Sequence, residues 1–522
     1  MTYLLQHLLK QAARKSPQKE VIIAGETKLT YKQLDKLSNR FANLLIATGV
    51  KKGDRVGLYM PKNIPAVIGV FGILKAGAAY VPLDINAPSA RIAFFIQNCE
   101  MTHLMVSSSK KEIMDEVFKE NTSLDTVILS DDFTDIPSEW PAHIHDWNKV
   151  MQSHDKNPNV RNIDTDLAYI LYTSGSTGVP KGVMTSHHNS LAFINSMSEL
   201  FKILPEDKVA NPAPLKFGIS IFDIFVTIKE GATMVIIPDL LTTFPCQLAD
   251  WMHENEISIW FSVPFVLSRL VLDGQIDRYN FDHLRAVFFA GEVFPAKYLR
   301  QLMNLWPSVT YFNIYGTTET NVITGYEVEP LDEDHIKPIP IGKAISNLEA
   351  FLIDERGNLI DRPGESGELC VRGAAVAQGY WANEAKTKEN FIENPLDPHS
   401  KDLVYKTGDV VVLDEKGRFH YTGRRDHMIK SRGYRIEIGE IEAALYSHKS
   451  IKEAAVVGIP DELAGHKIKA FVTLHDKRSL EPVELQKFCT QQIPRYMVPE
   501  SIEFLEALPK TSTGKIDKTA LT

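Results

Sequence analysis

The segment Tyr172-Thr173-Ser174-Gly175-Ser176-Thr177-Gly178-Val179-Pro180-Lys181-Gly182 concentrates four serine and threonine hydroxyls, three glycines and a lysine directly after the apolar run Leu167 to Leu171. Glycine lets backbone N–H groups turn toward an anion, hydroxyls add donors, and lysine adds a mobile positive charge. The combination reads as a phosphate cradle. It is not a P-loop, because the spacing G-x-x-x-x-G-K-[ST] is absent. A polar surface loop is the plain alternative, since Ser/Thr/Gly clusters between periodic segments commonly are loops.

Further segments follow in a fixed order: Asn313-Ile314-Tyr315-Gly316-Thr317-Thr318-Glu319-Thr320 after the strand-like run Val309 to Phe312, Tyr405-Lys406-Thr407-Gly408-Asp409, then Gly423-Arg424-Arg425-Asp426. Lys430-Ser431-Arg432-Gly433-Tyr434-Arg435-Ile436-Glu437 comes next, and Pro509-Lys510-Thr511-Ser512-Thr513-Gly514-Lys515 lies near the end. In this order the segments resemble the core motifs of the adenylate-forming superfamily of acyl-CoA synthetases, peptide-synthetase adenylation domains and luciferases. The likeness runs from Leu29-Thr30-Tyr31 and the stretch Leu74 to Pro82 through to Lys515, nearly the whole chain. Thr320-Asn321 and the segment Gly433 to Glu437 resemble free-standing enzymes that charge a carrier protein with a small carboxylate, such as prolyl- or D-alanyl-carrier ligases.

The resemblance implies a two-step reaction. A carboxylate is a poor electrophile; attack on the α-phosphate of ATP gives an acyl-AMP and pyrophosphate, and a thiol then takes the acyl group. Two anions must meet in the first step, so positive charge, metal and donors are needed at one point. Lys515 is the expected catalytic cation, with Thr318 donating to the α-phosphate and Glu319 a hard oxygen ligand for Mg²⁺. The expected ATP contacts are Thr173, Ser174, Gly175, Ser176, Thr177, Gly178, Lys181, Gly291, Asn313, Tyr315, Gly316, Thr318, Asp409 and Arg424. Among these, Tyr315 supplies a ring against adenine, Asn313 an amide for its edge, and Asp409 with Arg424 the ribose contact. Asp426 is the expected hinge, and Gly433 the narrow point of a pantetheine tunnel, where a side chain would obstruct. Without the resemblance each has a plainer reading: a solvated lysine, a helix N-terminal acid, a turn aspartate or a turn glycine.

The acid pocket departs from the family pattern. Activators of α-amino acids carry Phe-Asp-x-Ser, whose aspartate holds the substrate ammonium; here Gly218 stands in Phe217-Gly218-Ile219-Ser220. The remaining pocket positions implied by the alignment are Ile219, Phe222, Phe261, Phe288, Ala290, Ile314, Val322 and Ile323, beside Phe217. None is charged, and an enclosed ammonium without a partner loses several kcal/mol of hydration, at about 1.4 kcal/mol per tenfold. The expected substrate is therefore a small carboxylic acid without a charged α-amine. Alternatives are a β-amino or imino acid, with Asp223 a place for a displaced amine, an acyl-CoA ligase with the same chemistry, and a catalytically silent nucleotide-binding protein. The expected acceptor is a phosphopantetheinylated carrier protein in trans, or CoA.

Positioning these residues calls for an α/β fold. Runs such as Arg55 to Met60 and Ala232 to Ile237 alternate with helical stretches such as Ile64 to Leu74, as in mostly parallel sheets. After Gly364 the pattern turns to short strands, Gly367 to Val371, Val410 to Leu413 and Phe419 to Tyr421, a β-rich subdomain. The last part reads as a small mobile α+β domain: helices at Gly439 to Ser447 and from Leu485, strands at Ala454 to Val457 and Ala470 to Leu474. The expected division is a large adenylation domain, 1–425, and a lid, 426–522, that carries Lys515. With 522 residues and 44% hydrophobic content, a sizeable core is available. A net charge of −9 leaves no basic stripe for nucleic acid. No run approaches the roughly 20 apolar residues of a membrane span. Scattered Cys99, Cys246, Cys370 and Cys489 lack metal spacing and suit a reduced cytoplasmic setting.

Overall fold

In the computed structural model the described residues are 2–120, 122–133, 140, 143–175, 178–335, 337–397, 399–400, 402–425, 428–475, 480–510 and 516–521. Ser176, Thr177, Asp426 and Lys515 lie outside them.

Two large sheets dominate. One has eight strands in the order Gly379–Tyr380, Lys181–Ser186, Leu167–Thr173, Ala79–Pro82, Arg55–Tyr59, His103–Val106, Thr126–Leu129 and His143–His145. Its central strands pair in parallel, from Leu167–Thr173 out to His143–His145. The other has nine, with a parallel run Thr310–Tyr315, Ala286–Ala290, Ile259–Ser262, Lys208–Asn211, Thr233–Ile236 and Glu20–Ala24, and antiparallel strands at its edges. Strands such as Thr233–Ile236 and Ile259–Ser262 are buried along their length, which is why they read as continuous apolar runs. The helices Tyr31–Ala47, Ile64–Lys75 and His187–Phe201 contribute to one core that both sheets share. The amphipathic N-terminal stretch forms the helix Leu5–Lys15, whose Leu5, Leu8 and Leu9 join that core.

A third, wholly antiparallel sheet holds Leu348–Ile353, Ser366–Gly373, Leu403–Leu413 and Phe419–Arg424. Along Leu403–Leu413 burial alternates, the period-two signature of a strand with one face on a core. The last unit has the hairpin Met428–Ser431 with Tyr434–Glu437, a three-stranded sheet, and the helices Ile438–Tyr446 and Pro482–Gln492 around their own core of Ile436, Ile441, Val456 and Leu485. The expected fold class is thus present in all three parts. One local difference concerns Ile219 to Glu230, where a π-helical turn, Phe222–Val226, interrupts the helix. An apolar run such as Phe222-Asp223-Ile224-Phe225-Val226 suits α and π winding equally, so periodicity does not reveal it.

All four cysteines are free, and Cys99, Cys370 and Cys489 are buried. Among the described residues no helix is long and apolar enough to cross a membrane.

Lys62 fastens the two large sheets at the site. It stands ahead of the helix Ile64–Lys75, and its buried Nζ donates to the carbonyls of Asn211 (2.8 Å) and Pro212 (2.6 Å) at the end of the strand Lys208–Asn211. Burial pulls its pKa down to about 8, against the opposing pull of Asp239 and Asp223. Lys62→Met strands both carbonyls and is expected to cost about 1–3 kcal/mol in urea unfolding; an unchanged midpoint would show that the bridge contributes nothing.

Candidate active site

Because neighbouring strands in both sheets run parallel, the loops that leave their carboxyl ends gather in one cleft, the usual place for a ligand in such sheets. The cleft encloses a cavity of about 860 Å³. Its wall includes Pro82 and Asp84, Thr173 and Ser174, Pro212 to Ile219, Ser262 and Val263, Ala290 and Gly291, and Gly316 to Thr318, each at or just past a strand end. The hairpin of the C-terminal unit closes it with Gly433, Tyr434 and Arg435. A second cavity of about 340 Å³, lined by Asn313, Tyr315, Tyr421 and Lys430, meets the first at Gly291 and Arg424.

Of the expected acid-pocket residues, Phe217, Gly218, Ile219, Phe261, Ala290, Ile314 and Val322 line the larger cavity. Phe222, Phe288 and Ile323 do not. The rings of Phe222 and Phe288, fully buried behind the wall, pack edge-on against Phe261, with Phe222 edge-on and Phe288 tilted against Phe201, and Ile323 lies in the core shared with Tyr315 and Leu369. They fill the core beneath the pocket floor. Asp223 does not line the cavity either: it is fully buried, and its Oδ2 accepts from Asn211 Nδ2 at 2.8 Å. It is a structural acid, unsuited to receive a substrate amine.

Three of the residues expected to contact ATP come together. The buried Asp409 carboxylate accepts from the Tyr315 hydroxyl on one oxygen and pairs with Arg424 on the other. Asn313 is committed to the chain, its Nδ2 donating to the Pro340 carbonyl at 2.9 Å. The ring of Tyr315 carries the Lys430 ammonium 5.7 Å from its centroid, with Tyr421 at 5.6 Å from the same ammonium. Burial lowers the Lys430 pKa, opposed by Asp409.

Glu319 is the most constrained group in the site. Its side chain is 0% exposed, accepts from the Tyr380 hydroxyl at 2.8 Å, and pairs with Arg435 Nη1 at 3.2 Å. Burial raises the carboxyl, but Arg435, Lys181 and the Tyr380 hydroxyl outweigh it and hold its pKa down at about 2. Lys181 is itself pulled down to about 8 by burial and by Arg435, and lies over the Tyr380 ring at 5.0 Å. The described part of the cradle faces the C-terminal unit. Ser174 Oγ donates to the Arg435 carbonyl at 2.9 Å, and a methyl on Gly178 would come within 3.0 Å of Ala443. Thr173, Ser174, Gly291, Gly316, Thr318, Asp409 and Arg424 line the large cavity, whereas Gly175, Gly178 and Lys181 do not.

The hairpin of the C-terminal unit turns at Arg432 and Gly433 with φ of +51° and +82°, the two successive positive values of a tight hairpin turn. Gly433 N–H donates to Glu292, whose carboxyl is pushed up to about 7 by burial. Tyr434 stacks on Tyr496 at 4.0 Å and meets Phe217 edge-on, while Lys216 reaches Asp84 at 2.5 Å beside the Tyr496 ring. Sequence reasoning named none of Arg435, Lys430, Glu292, Lys216 or Asn321 as site residues. Arg435, Lys430 and Asn321 lie inside quoted motifs, so position in the motif was the available signal; for Glu292 and Lys216 only adjacency to Gly291 and Phe217 pointed that way.

Comparison with known proteins gives this architecture a family. Residues 9–381 match the AMP-binding enzyme family and residues 440–515 its C-terminal domain. The chain belongs to the AMP-binding enzyme family, the adenylate-forming superfamily, and is an AMP-forming ligase. It is similar to an L-proline--[L-prolyl-carrier protein] ligase of Pseudomonas fluorescens, 35% identical over 99% of this chain and 98% of the relative. A second ligase of that description, from Streptomyces coelicolor, is 34% identical over 94% and 91%. Among solved structures, the adenylation domain AlmE of Vibrio cholerae, in complex with glycyl-adenosine-5'-phosphate, shares the fold with a TM-score of 0.84 at 24% identity, covering 100% of this chain and 97% of that one.

A methyl at Gly433 would lie 2.4 Å from Val263 Cγ1. Gly433→Ala is expected to destabilise by about 1–3 kcal/mol in urea unfolding, from overpacking and the left-handed backbone. Adding Val263→Ala should return only the overpacking part, and full recovery would show that the turn itself needs no glycine.

Proposed function

We propose that this protein activates a small carboxylic acid with ATP as its acyl-adenylate and passes the acyl group to the phosphopantetheine thiol of a separate carrier protein, and that the acid bears an imino nitrogen, as L-proline does. What carries this reading is likeness over full length: two relatives matched almost end to end are ligases of L-proline and its carrier. The pocket is compatible. A pyrrolidine ring is apolar on most sides, and Ile219, Phe261, Ala290, Ile314 and Val322 offer apolar walls.

In the first step a substrate carboxylate oxygen attacks the α-phosphorus and pyrophosphate leaves. Lys515 is proposed to stand between the two anions, with Thr318 and the cradle of Thr173 to Gly178 donating to phosphate oxygens. Glu319 would hold Mg²⁺, which supplies positive charge against the phosphates when bound; one carboxylate with phosphate oxygens is a donor set that suits this ion. In the arrangement described, Arg435 holds that carboxylate and Lys430 covers the Tyr315 ring. Both contacts come from the lid hairpin, at groups proposed to serve ATP. We therefore assign this arrangement to the second step, in which the thiol sulfur attacks the acyl carbonyl and AMP leaves. The hinge at Asp426 would exchange it for one that presents Lys515. CoA in place of the carrier would use the same chemistry.

Gly218 favours a second reading, an acid with no charged α-amine, since no carboxylate stands at that position. ATP–pyrophosphate exchange over a panel of imino, α-amino, β-amino, hydroxy, keto and aliphatic acids separates the two. Exchange with L-proline at ten times or more the rate with aliphatic acids is expected, falling at least a hundredfold in Lys515→Ala. Exchange confined to uncharged acids would select the second reading, and full exchange in Lys515→Ala would remove the mechanism.

A further inference from the structure

The side-chain oxygen of Asn321 is buried, has no hydrogen-bond partner among the described residues, and is turned toward Gly218. Among the described residues, a Cβ built on Gly218 meets one atom only beyond its chain neighbours, this Oδ1, at 3.2 Å. Both residues belong to the wall of the large cavity. The oxygen therefore borders the space that the first atom of a side chain at position 218 would take.

The amide is held there from several sides. Asn321 Nδ2 donates to the Tyr169 hydroxyl at 3.3 Å, and that hydroxyl donates in turn to Ser190 Oγ at 3.4 Å, so the amide's other end, Oδ1, faces Gly218. The backbone of Asn321 is left-handed, with φ of +59°, a conformation asparagine tolerates better than most residues. The loop is pinned at its base, because Ile323 N–H donates to the Tyr315 carbonyl at 2.8 Å and any Cβ on Gly316 would lie 2.2 Å from the Asn321 carbonyl oxygen. A buried acceptor without a donor costs about 1–3 kcal/mol, so one kept in a ligand cavity asks for a donor that arrives with the ligand.

We propose that Asn321 Oδ1 is the acceptor for an N–H or O–H donor on the substrate carbon next to the carboxylate, taking over with an uncharged oxygen the place of the carboxylate missing at Gly218. This rests on the imino-acid reading for the donor's identity, and it changes the selectivity that reading implies. A secondary ammonium offers two donors and no more than two sites to satisfy, whereas a primary ammonium brings a third. A neutral acceptor in an apolar wall suits the smaller demand. Asn321 is thus a specificity-determining residue outside the expected pocket positions.

The test uses hydrolysis-resistant acyl-sulfamoyl adenosines in two pairs matched in shape: prolyl with cyclopentanecarbonyl, and 2-hydroxyisovaleryl with isovaleryl. Affinities are measured by calorimetry on the full chain, independently of turnover. Two variants are compared, Asn321→Gly, which removes the oxygen and tolerates the left-handed backbone, and Asn321→Asp, which keeps an oxygen there. Thermal midpoints verify that both fold. The wild type is expected to prefer the donor-bearing member of a pair by about tenfold or more. Asn321→Gly should lose that preference while binding the donor-free member as before, and Asn321→Asp should retain it. A preference shown only for the hydroxy acyl group would fail the imino-acid reading and leave this proposal standing. Equal wild-type affinity within both pairs, or a preference that survives in Asn321→Gly, would overturn it.

Discussion

A full negative charge kept away from water governs this site. Glu319 is buried, and a carboxylate in that position must either take up a proton or be met by cations and donors. Here Arg435, Lys181 and Tyr380 meet it, each from a different part of the chain. Arg435 comes from the C-terminal hairpin, Lys181 from the strand Lys181–Ser186, and Tyr380 from a two-residue strand paired to that same strand. One ionised group thereby ties the large unit to the C-terminal one through Arg435. Other contacts across the boundary add to it, notably Arg91 with Glu440 and the edge-on contact of Tyr434 with Phe217.

The larger fold supplies what that charge needs. Parallel strands bring their carboxyl ends to one edge of each sheet, and the two edges face each other across the cleft. The loops after Lys208–Asn211, Ile259–Ser262 and Ala286–Ala290 line the larger cavity, while the strand Thr310–Tyr315 carries Asn313 and Tyr315 into the wall of the smaller one. Lys62 bridges from one sheet to the other at this edge. The aromatic cluster of Phe201, Phe222, Phe261 and Phe288 lies beneath, so the pocket floor inherits the stiffness of a close-packed core.

Much of this was legible in the residues. Alternating apolar runs gave the parallel sheets, and the change after Gly364 marked the antiparallel one, because burial on two faces and burial on one leave different periods. Motif order led to Asp409 with Tyr315 and Arg424 and to most of the pocket wall. What remained hidden depended on distance across the fold. Phe222 and Phe288 have the same apolar character as true wall residues, and only packing separates them from Phe261. Asn321 sits three residues from the wall positions Thr318 and Val322 or closer, yet its role follows from where its amide is aimed, which Tyr169 decides. The same holds for Arg435 and Lys430, whose partners lie more than a hundred residues away in Glu319 and Tyr315.

The central claim is that Glu319 and Arg435 are charged for each other's sake in the arrangement described. A double-mutant cycle of Glu319→Gln and Arg435→Met, read by urea unfolding with a common baseline, measures this directly. Each single change should cost about 3 kcal/mol by leaving a buried charge uncompensated, and the double variant should recover at least half of the summed loss. Strictly additive costs would contradict the account, since the two groups would then be stabilised independently.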